Sequence, residues 1–211
     1  MTINQKYREI DVWCSTPSTS HFMKSFSIAL IACLSLTAAS AQSPASPVGS
    51  QPLRPLAPIA SLDVPRYMGT WFEIAKYPNR FQKKCLSDTQ AQYTLQASGS
   101  VQVINRCKKE GGEIDEAVGE ARQTGAATSP RLQVRFAPAW LSLLPFVWGN
   151  YWVIDLDESY QLVAVSEPKR EYLWILSRKP TVSADAYAAL LGRLKAQGFD
   201  LDRLESSRQG L

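Results

Sequence analysis

The chain has 211 residues, 45% of them hydrophobic and 20% charged, which suits one or two globular domains and excludes global disorder. Its one apolar run near membrane length lies close to the N-terminus and is too short and punctuated to span a bilayer, which excludes a polytopic membrane protein. The formal net charge is only +4, with Lys and Arg interleaved among Asp and Glu, so no nucleic-acid surface is expected.

The N-terminus reads as an export signal. Met23-Lys24 is followed by an apolar stretch of about a dozen residues ending in Ala39-Ser40-Ala41, an A-x-A-like cleavage site. Residues 1–22, with Asp11, Trp13, Cys14 and His21, do not fit a signal's basic start, so the true start is expected near Met23. A second reading competes with cleavage after Ala41. Leu30-Ile31-Ala32-Cys33 resembles a lipobox, in which Cys33 would be lipidated. A buried N-terminal helix is the structural alternative to both.

Removing residues 1–41 takes three of the 23 basic and two of the 19 acidic residues, leaving a net charge of +3. It also removes His21, the only histidine. A Ser-His-Asp triad, a Cys-His pair and His-ligated zinc or haem are thereby excluded, and no cofactor is expected. Cys85 and Cys107 remain. An even count in an exported chain points to a disulfide, with a reactive thiol pair as the alternative.

Residues 42–61 form a Pro-rich linker, with Pro44, Pro47, Pro52, Pro55 and Pro58. One folded domain is expected over residues 62–205, followed by a tail at 206–211. Eight strand signals follow in chain order. They are Trp71–Tyr77, Thr89–Gln96, Val101–Cys107, Ala117–Gln123, Arg131–Phe136, Tyr151–Asp155, Tyr160–Ser166 and Tyr172–Arg178. Tight turns at 97–100 and 156–159 join neighbours, and no helix intervenes. The pattern predicts an all-β, antiparallel up-and-down sheet whose eight strands close into a barrel with room for one small ligand. The period then changes. Tyr187, Leu190, Leu191 and Leu194 share one helical face, behind an N-cap at Ser183 and before a stop at Gly198. This single C-terminal α-helix must pack outside the barrel.

At this point the residues resemble the lipocalins. Gly69-Thr70-Trp71 is similar to the family's G-x-W signature. Asp155-Leu156-Asp157-Glu158-Ser159-Tyr160 stands where its second motif belongs, without that motif's Thr and first Tyr. Trp174-Ile175-Leu176-Ser177-Arg178 resembles the third. The stretches 66–75 and 172–180 look most like bacterial outer-membrane lipocalins and apolipoprotein D. The resemblance implies that Arg178 packs across Trp71 at the closed end, a structural role. It also implies that Tyr93, Asn105, Phe136, Tyr151 and Trp174 line the pocket. Aromatic rings there would give apolar wall, and a phenol, an indole N–H and an amide could orient a polar head group.

The fifth connection, 137–148, is unusually apolar. Trp140, Leu143, Leu144 and Trp148 are expected to contact a membrane surface, a partner or a second copy in a homodimer, unless the loop folds back as a lid or onto its own barrel. Lys83, Lys84, Lys108 and Lys109 lie on two other mouth loops and could attract anionic head groups. The leading functional expectation is non-enzymatic carriage of a small hydrophobic ligand, fatty acid or lysophospholipid. Its expected place is the bacterial envelope: periplasm, or outer membrane as a lipoprotein. A lipocalin-type enzyme, with Glu73 or Asp155 as acid–base groups, and an interaction module using the apolar loop are the alternatives.

Overall fold

The computed structural model describes residues 54–138, 144 and 147–210. The expected signal, Cys33 and most of the linker lie outside them, as do Trp140 and Leu143.

A short helix, α1 (Val64–Tyr67), leads into eight strands. These are β1 (Gly69–Lys76), β2 (Ser87–Leu95), β3 (Val101–Lys108), β4 (Ile114–Gln123), β5 (Arg131–Arg135), β6 (Gly149–Leu156), β7 (Leu162–Ser166) and β8 (Leu173–Ser177). Each pairs antiparallel with the next, and β1 pairs with both β2 and β8, which closes the barrel. Helix α2 (Ala184–Ala196) follows, and a two-residue strand, β9 (Glu205–Ser206), adds to β1. The architecture is the predicted eight-stranded antiparallel barrel with one helix packed outside.

Directly paired residues share a face of a sheet, so the registers separate interior from exterior. Trp71, Ala91, Tyr93, Val101, Val103, Ala121, Leu132, Val153, Val163, Val165 and Leu176 form the inner cluster. A second cluster lies between the wall and α2, where Leu190 and Leu194 pack against Ile154, Ala164 and Ile175. The Ser183 side chain caps this helix, and Arg193 grips the Asp155 carboxylate with two nitrogens at 2.7 and 2.9 Å. A register shift between Glu73 and Ala75 inverts the alternation of β1. Glu73 pairs with Leu176 of the inner cluster, Ala75 with Ile175 of the outer one, and Lys76 with Trp174.

Two segments are more integrated than their sequences suggest. The expected linker is anchored at its end: Leu56 is buried in the outer cluster, and the Ile59 amide donates to the Val153 carbonyl. Residues 205–210, expected to be mostly tail, lie along β1 and β2. Ser207 N–H donates to the Ile74 carbonyl and Asp88 N–H to the Arg208 carbonyl.

Candidate ligand-binding site

The closed end is built by the G-x-W segment. Gly69 has a φ of +95°, and a Cβ there would stand 3.3 Å from Arg178 Nη1, so glycine meets both a backbone and a space requirement. The Arg178 guanidinium lies 3.9 Å from the Trp71 ring centroid and donates to the carbonyls of Thr70 and Arg66, each at 2.9 Å. Trp71 Nε1–H donates to the Tyr67 carbonyl at 2.9 Å. The hydrogen bonds of this pair satisfy the Arg66 and Tyr67 carbonyls that α1 leaves open and the Thr70 carbonyl of β1. Beside it, Asp157 accepts backbone N–H groups from Ser159, Gln161 and Leu162 in the β6–β7 turn. Burial would raise this carboxyl; together the hydrogen bonds hold it below the usual range.

Above the floor stand three phenols. Tyr151 Oη lies 2.7 Å from Tyr67 Oη and 3.0 Å from Tyr93 Oη, and the Tyr67 ring packs 5.0 Å from Trp71 and 5.6 Å from Tyr93. Desolvation pushes the Tyr93 phenol up to about 12, and Tyr67 and Tyr151 well above their ordinary value. All three are therefore neutral hydrogen-bond donors and acceptors at physiological pH. Tyr93 and Tyr151 are two of the five residues expected to line the pocket. Tyr67 was not among them, because it ends α1 ahead of the first strand, where strand alternation gives no signal.

The other three expected residues are not brought to this cluster. Trp174 is half-buried higher on β8, stacked on Tyr172 with centroids 5.7 Å apart, and its Nε1–H donates to Gln82 Oε1 at 2.9 Å. Gln82, from the β1–β2 loop, in turn donates to Glu73 Oε2 at 2.5 Å, while Ser207 Oγ donates to Glu73 Oε1 at 2.6 Å. Trp can only donate through its ring, so it fixes the Gln82 amide with its NH₂ toward Glu73. Glu73 is 2% exposed. Desolvation raises its carboxyl, against the lowering effect of Ser207, Gln82 and Lys76. Nothing in the sequence joins Glu73, Gln82 and Ser207; only the closed fold does.

Asn105 and Phe136 belong to a third region. Asn105 pairs with Ala91 and Ala117, on the face that carries Val101 and Val103, and Val103 pairs with Gly119. Whereas Val101 and Val103 are each 3% exposed, Asn105 and Gly119 are half-buried and Ala117 is exposed. Phe136 is 44% exposed, with its ring against Gly119. The inner wall is thus filled at Val101 and Val103 and accessible at Asn105, Ala117, Gly119 and Phe136, with the buried Cys107 of the disulfide closing β3 above Asn105.

The disulfide Cys85–Cys107 is formed, with Cα atoms 5.5 Å apart, and ties the β1–β2 loop to β3 at the mouth. Of the apolar loop, Leu144 is exposed, whereas Trp148 is half-buried on its own barrel, its ring 4.0 Å from the Arg122 guanidinium and 5.1 Å from that of Arg135. Lys108 pairs with Asp88, and Lys109 with Glu113 and Asp115, so these two expected head-group lysines carry ion pairs of their own.

A closed up-and-down barrel with a capped floor and an open upper interior defines a binding protein for small hydrophobic molecules. A family model for a lipocalin-like domain matches residues 62–209. The chain is 38% identical over 151 residues to temperature-induced lipocalin-1 of Arabidopsis thaliana, covering 70% of this chain and 80% of that protein. It is also 38% identical over 144 residues to the outer membrane lipoprotein Blc of Escherichia coli K12, covering 68% and 77%. A solved structure of the cockroach allergen Per a 4 matches with a TM-score of 0.56 at 20% identity, covering 73% of this chain and 93% of that one. The chain belongs to the lipocalin family, with homology to Blc and to apolipoprotein D alike. Its general activity is lipocalin-type binding and transport of a small hydrophobic ligand, without catalysis.

Proposed function

We propose that this lipocalin carries fatty acids or lysophospholipids in a bacterial envelope. The observation that carries the reading is the graded inner wall. Val101 and Val103 are sealed, while Asn105, Ala117, Gly119 and Phe136 above them remain accessible. An acyl chain entering from the mouth meets Phe136, Ala117 and Gly119 first and ends on the layer of Tyr93, Tyr151 and Tyr67. Burial of each methylene contributes about 0.8 kcal/mol, so a chain of ordinary length needs no specific polar grip. Around the mouth, Arg80, Lys83 and Lys84 are exposed, which suits an anionic head group left at the rim. Likeness to an outer membrane lipoprotein supports export and an envelope location. In that setting Ala41 cleavage and Cys33 lipidation both remain consistent with the reading.

The test is titration with a fluorescent fatty acid, followed by displacement with unlabelled lysophospholipid. Saturable, one-to-one uptake that both lipids compete away is the expected result. Failure of both lipids to bind would overturn the reading.

A second reading rests on a separate observation. Phe81, Leu86, Ile114, Phe136 and Leu144, all large and all exposed, cluster at the mouth end. This rim suits a membrane surface, with the barrel loading directly from lipid. Co-sedimentation with anionic vesicles, lost in Phe81→Ser/Leu144→Ser, tests it.

A further inference from the structure

The barrel is not sealed evenly between its first two strands. β1 and β2 pair only from Gly69↔Tyr93 to Phe72↔Gln90. Beyond Phe72, β1 turns to β9 instead, with Ala75 opposite Ser206 and Lys76 opposite Glu205. On the other side, β2 meets the same segment: Asp88 N–H donates to the Arg208 carbonyl at 2.8 Å, and Gly210 N–H to Asp88 Oδ1 at 2.6 Å. Between them, the Gln209 carboxamide donates to the Glu73 carbonyl of β1 at 2.7 Å and to the Thr89 carbonyl of β2 at 2.9 Å. One side chain thus replaces the ladder that the two strands lack. A seam closed by two residues of strand, two further backbone bonds and a few side-chain bonds, with Glu205, Ser206 and Arg208 exposed, is weaker than its continuous neighbours.

The inner side of the seam is tied to the mouth. The Glu73 carboxyl accepts from Ser207 of this segment and from Gln82 of the β1–β2 loop, and Gln82 accepts from Trp174 of the inner wall. Lys76 on β1 faces Glu205 at 3.6 Å, and Asp88 on β2 faces Lys108 of β3 at 2.9 Å. Among the described residues, the strand pairing, hydrogen bonds and ion pair that tie residues 205–210 to the barrel run to β1 and β2, and one of them reaches the mouth loop in two steps.

We propose that the upper β1–β2 seam is a side gate to the barrel, held shut by residues 205–210 as a latch, with Gln209 as its bolt and Ser207–Glu73–Gln82 as its link to the mouth loop. When the latch lifts from β1, β1 and β2 separate above Phe72, and a ligand wider than the mouth enters or leaves past Trp174. The latch sets the rate of exchange and not the affinity, since it touches the barrel rather than the cargo. This rests on the carrier reading above.

The experiment compares wild type, Gln209→Ala, Ser207→Ala and a cross-linked Ala75→Cys/Ser206→Cys protein. The ligand-free arm is amide hydrogen exchange at Asp88 and Ser207, whose N–H groups bond across the seam. The loading arm is stopped-flow uptake and release of a fluorescent fatty acid. Gln209→Ala is expected to speed exchange and both ligand rates by roughly fivefold or more, with Kd changed less than about twofold. The cross-link is expected to slow all of them. Unaltered ligand rates in the cross-linked protein would overturn the gate even if Gln209→Ala lowers stability. If the fatty acid does not bind wild type at all, the carrier reading fails separately, and the exchange arm decides alone. Asp88 and Ser207 amides that open no sooner than those of mid-β1 and mid-β2 would then show that no latch exists.

Discussion

At the residue scale, the half-buried Arg178 and the buried Glu73 have opposite roles. Arg178 is held by carbonyls and an indole face, all of which it satisfies at once. Its removal orphans the Thr70 and Arg66 carbonyls and loses the cation over Trp71, so Arg178→Ala is expected to cost about 2–3 kcal/mol. Arg178→Lys should recover little, because an ammonium cannot span the two carbonyls as a planar fork does. Chemical denaturation of both variants measures this. Glu73 is different, since burial raises its carboxyl. A carboxyl raised in the folded state binds its proton more tightly there than in the unfolded chain. Its stabilising contribution is full below the unfolded value and fades as pH rises through the folded one. Wild type should therefore gain stability on acidification from neutral pH toward the ordinary carboxylate range. Glu73→Gln, which can still accept from Gln82 and donate to Ser207 Oγ, should lack that gain. Melting curves across pH for the two proteins test the point; parallel pH profiles would refute it.

At the element scale, legibility follows sequence locality. The strands were readable because alternation and turn residues are local, and α2 because Tyr187, Leu190, Leu191 and Leu194 repeat at helical spacing. Three features were not. The short helix α1 is too brief for a period, although Asp63 caps it by accepting from Arg66 N–H. The β1 shift at Glu73–Ala75 moves Lys76 to Trp174's face, and only the pairing with β8 reveals it. β9 spans two polar residues and exists because β1 has a vacant edge beyond Phe72. The site divided the same way. Tyr93 and Tyr151 were legible through the resemblance of their strands to the family, whereas their partner Tyr67 and the Glu73–Gln82–Ser207 set come from distant elements. The helix itself offers a clean test. Leu190 is fully buried against the wall, and Leu190→Ala is expected to cost about 3 kcal/mol. The loss should fall on the helix–wall interface while the interior stays intact. Faster amide exchange in α2 with unchanged fatty-acid affinity is the expected pair of results.

At the scale of the whole molecule, stability and capacity occupy different halves of one barrel. The lower half is sealed by aromatic rings over a hydrogen-bonded floor. The upper half gives up that packing: Ala117 is exposed on the inward face, and Gly119 leaves room that the Phe136 ring covers. A Cβ on Gly119 would stand 2.6 Å from the Arg135 carbonyl and 2.7 Å from that ring, so enlarging this position disturbs backbone as well as space. Ala117 has no such constraint, which makes it the cleaner probe of the chamber. Ala117 is exposed, so Ala117→Trp adds a large ring without displacing packed side chains, and the fold should be altered by no more than about 0.5 kcal/mol. The same ring would occupy the volume an acyl chain needs, and affinity for a fluorescent fatty acid should fall by roughly tenfold or more. Loss of binding at constant stability would locate the ligand in the upper chamber. Unchanged binding would mean that the cargo sits elsewhere, and the open wall of β3 and β4 would then need another purpose.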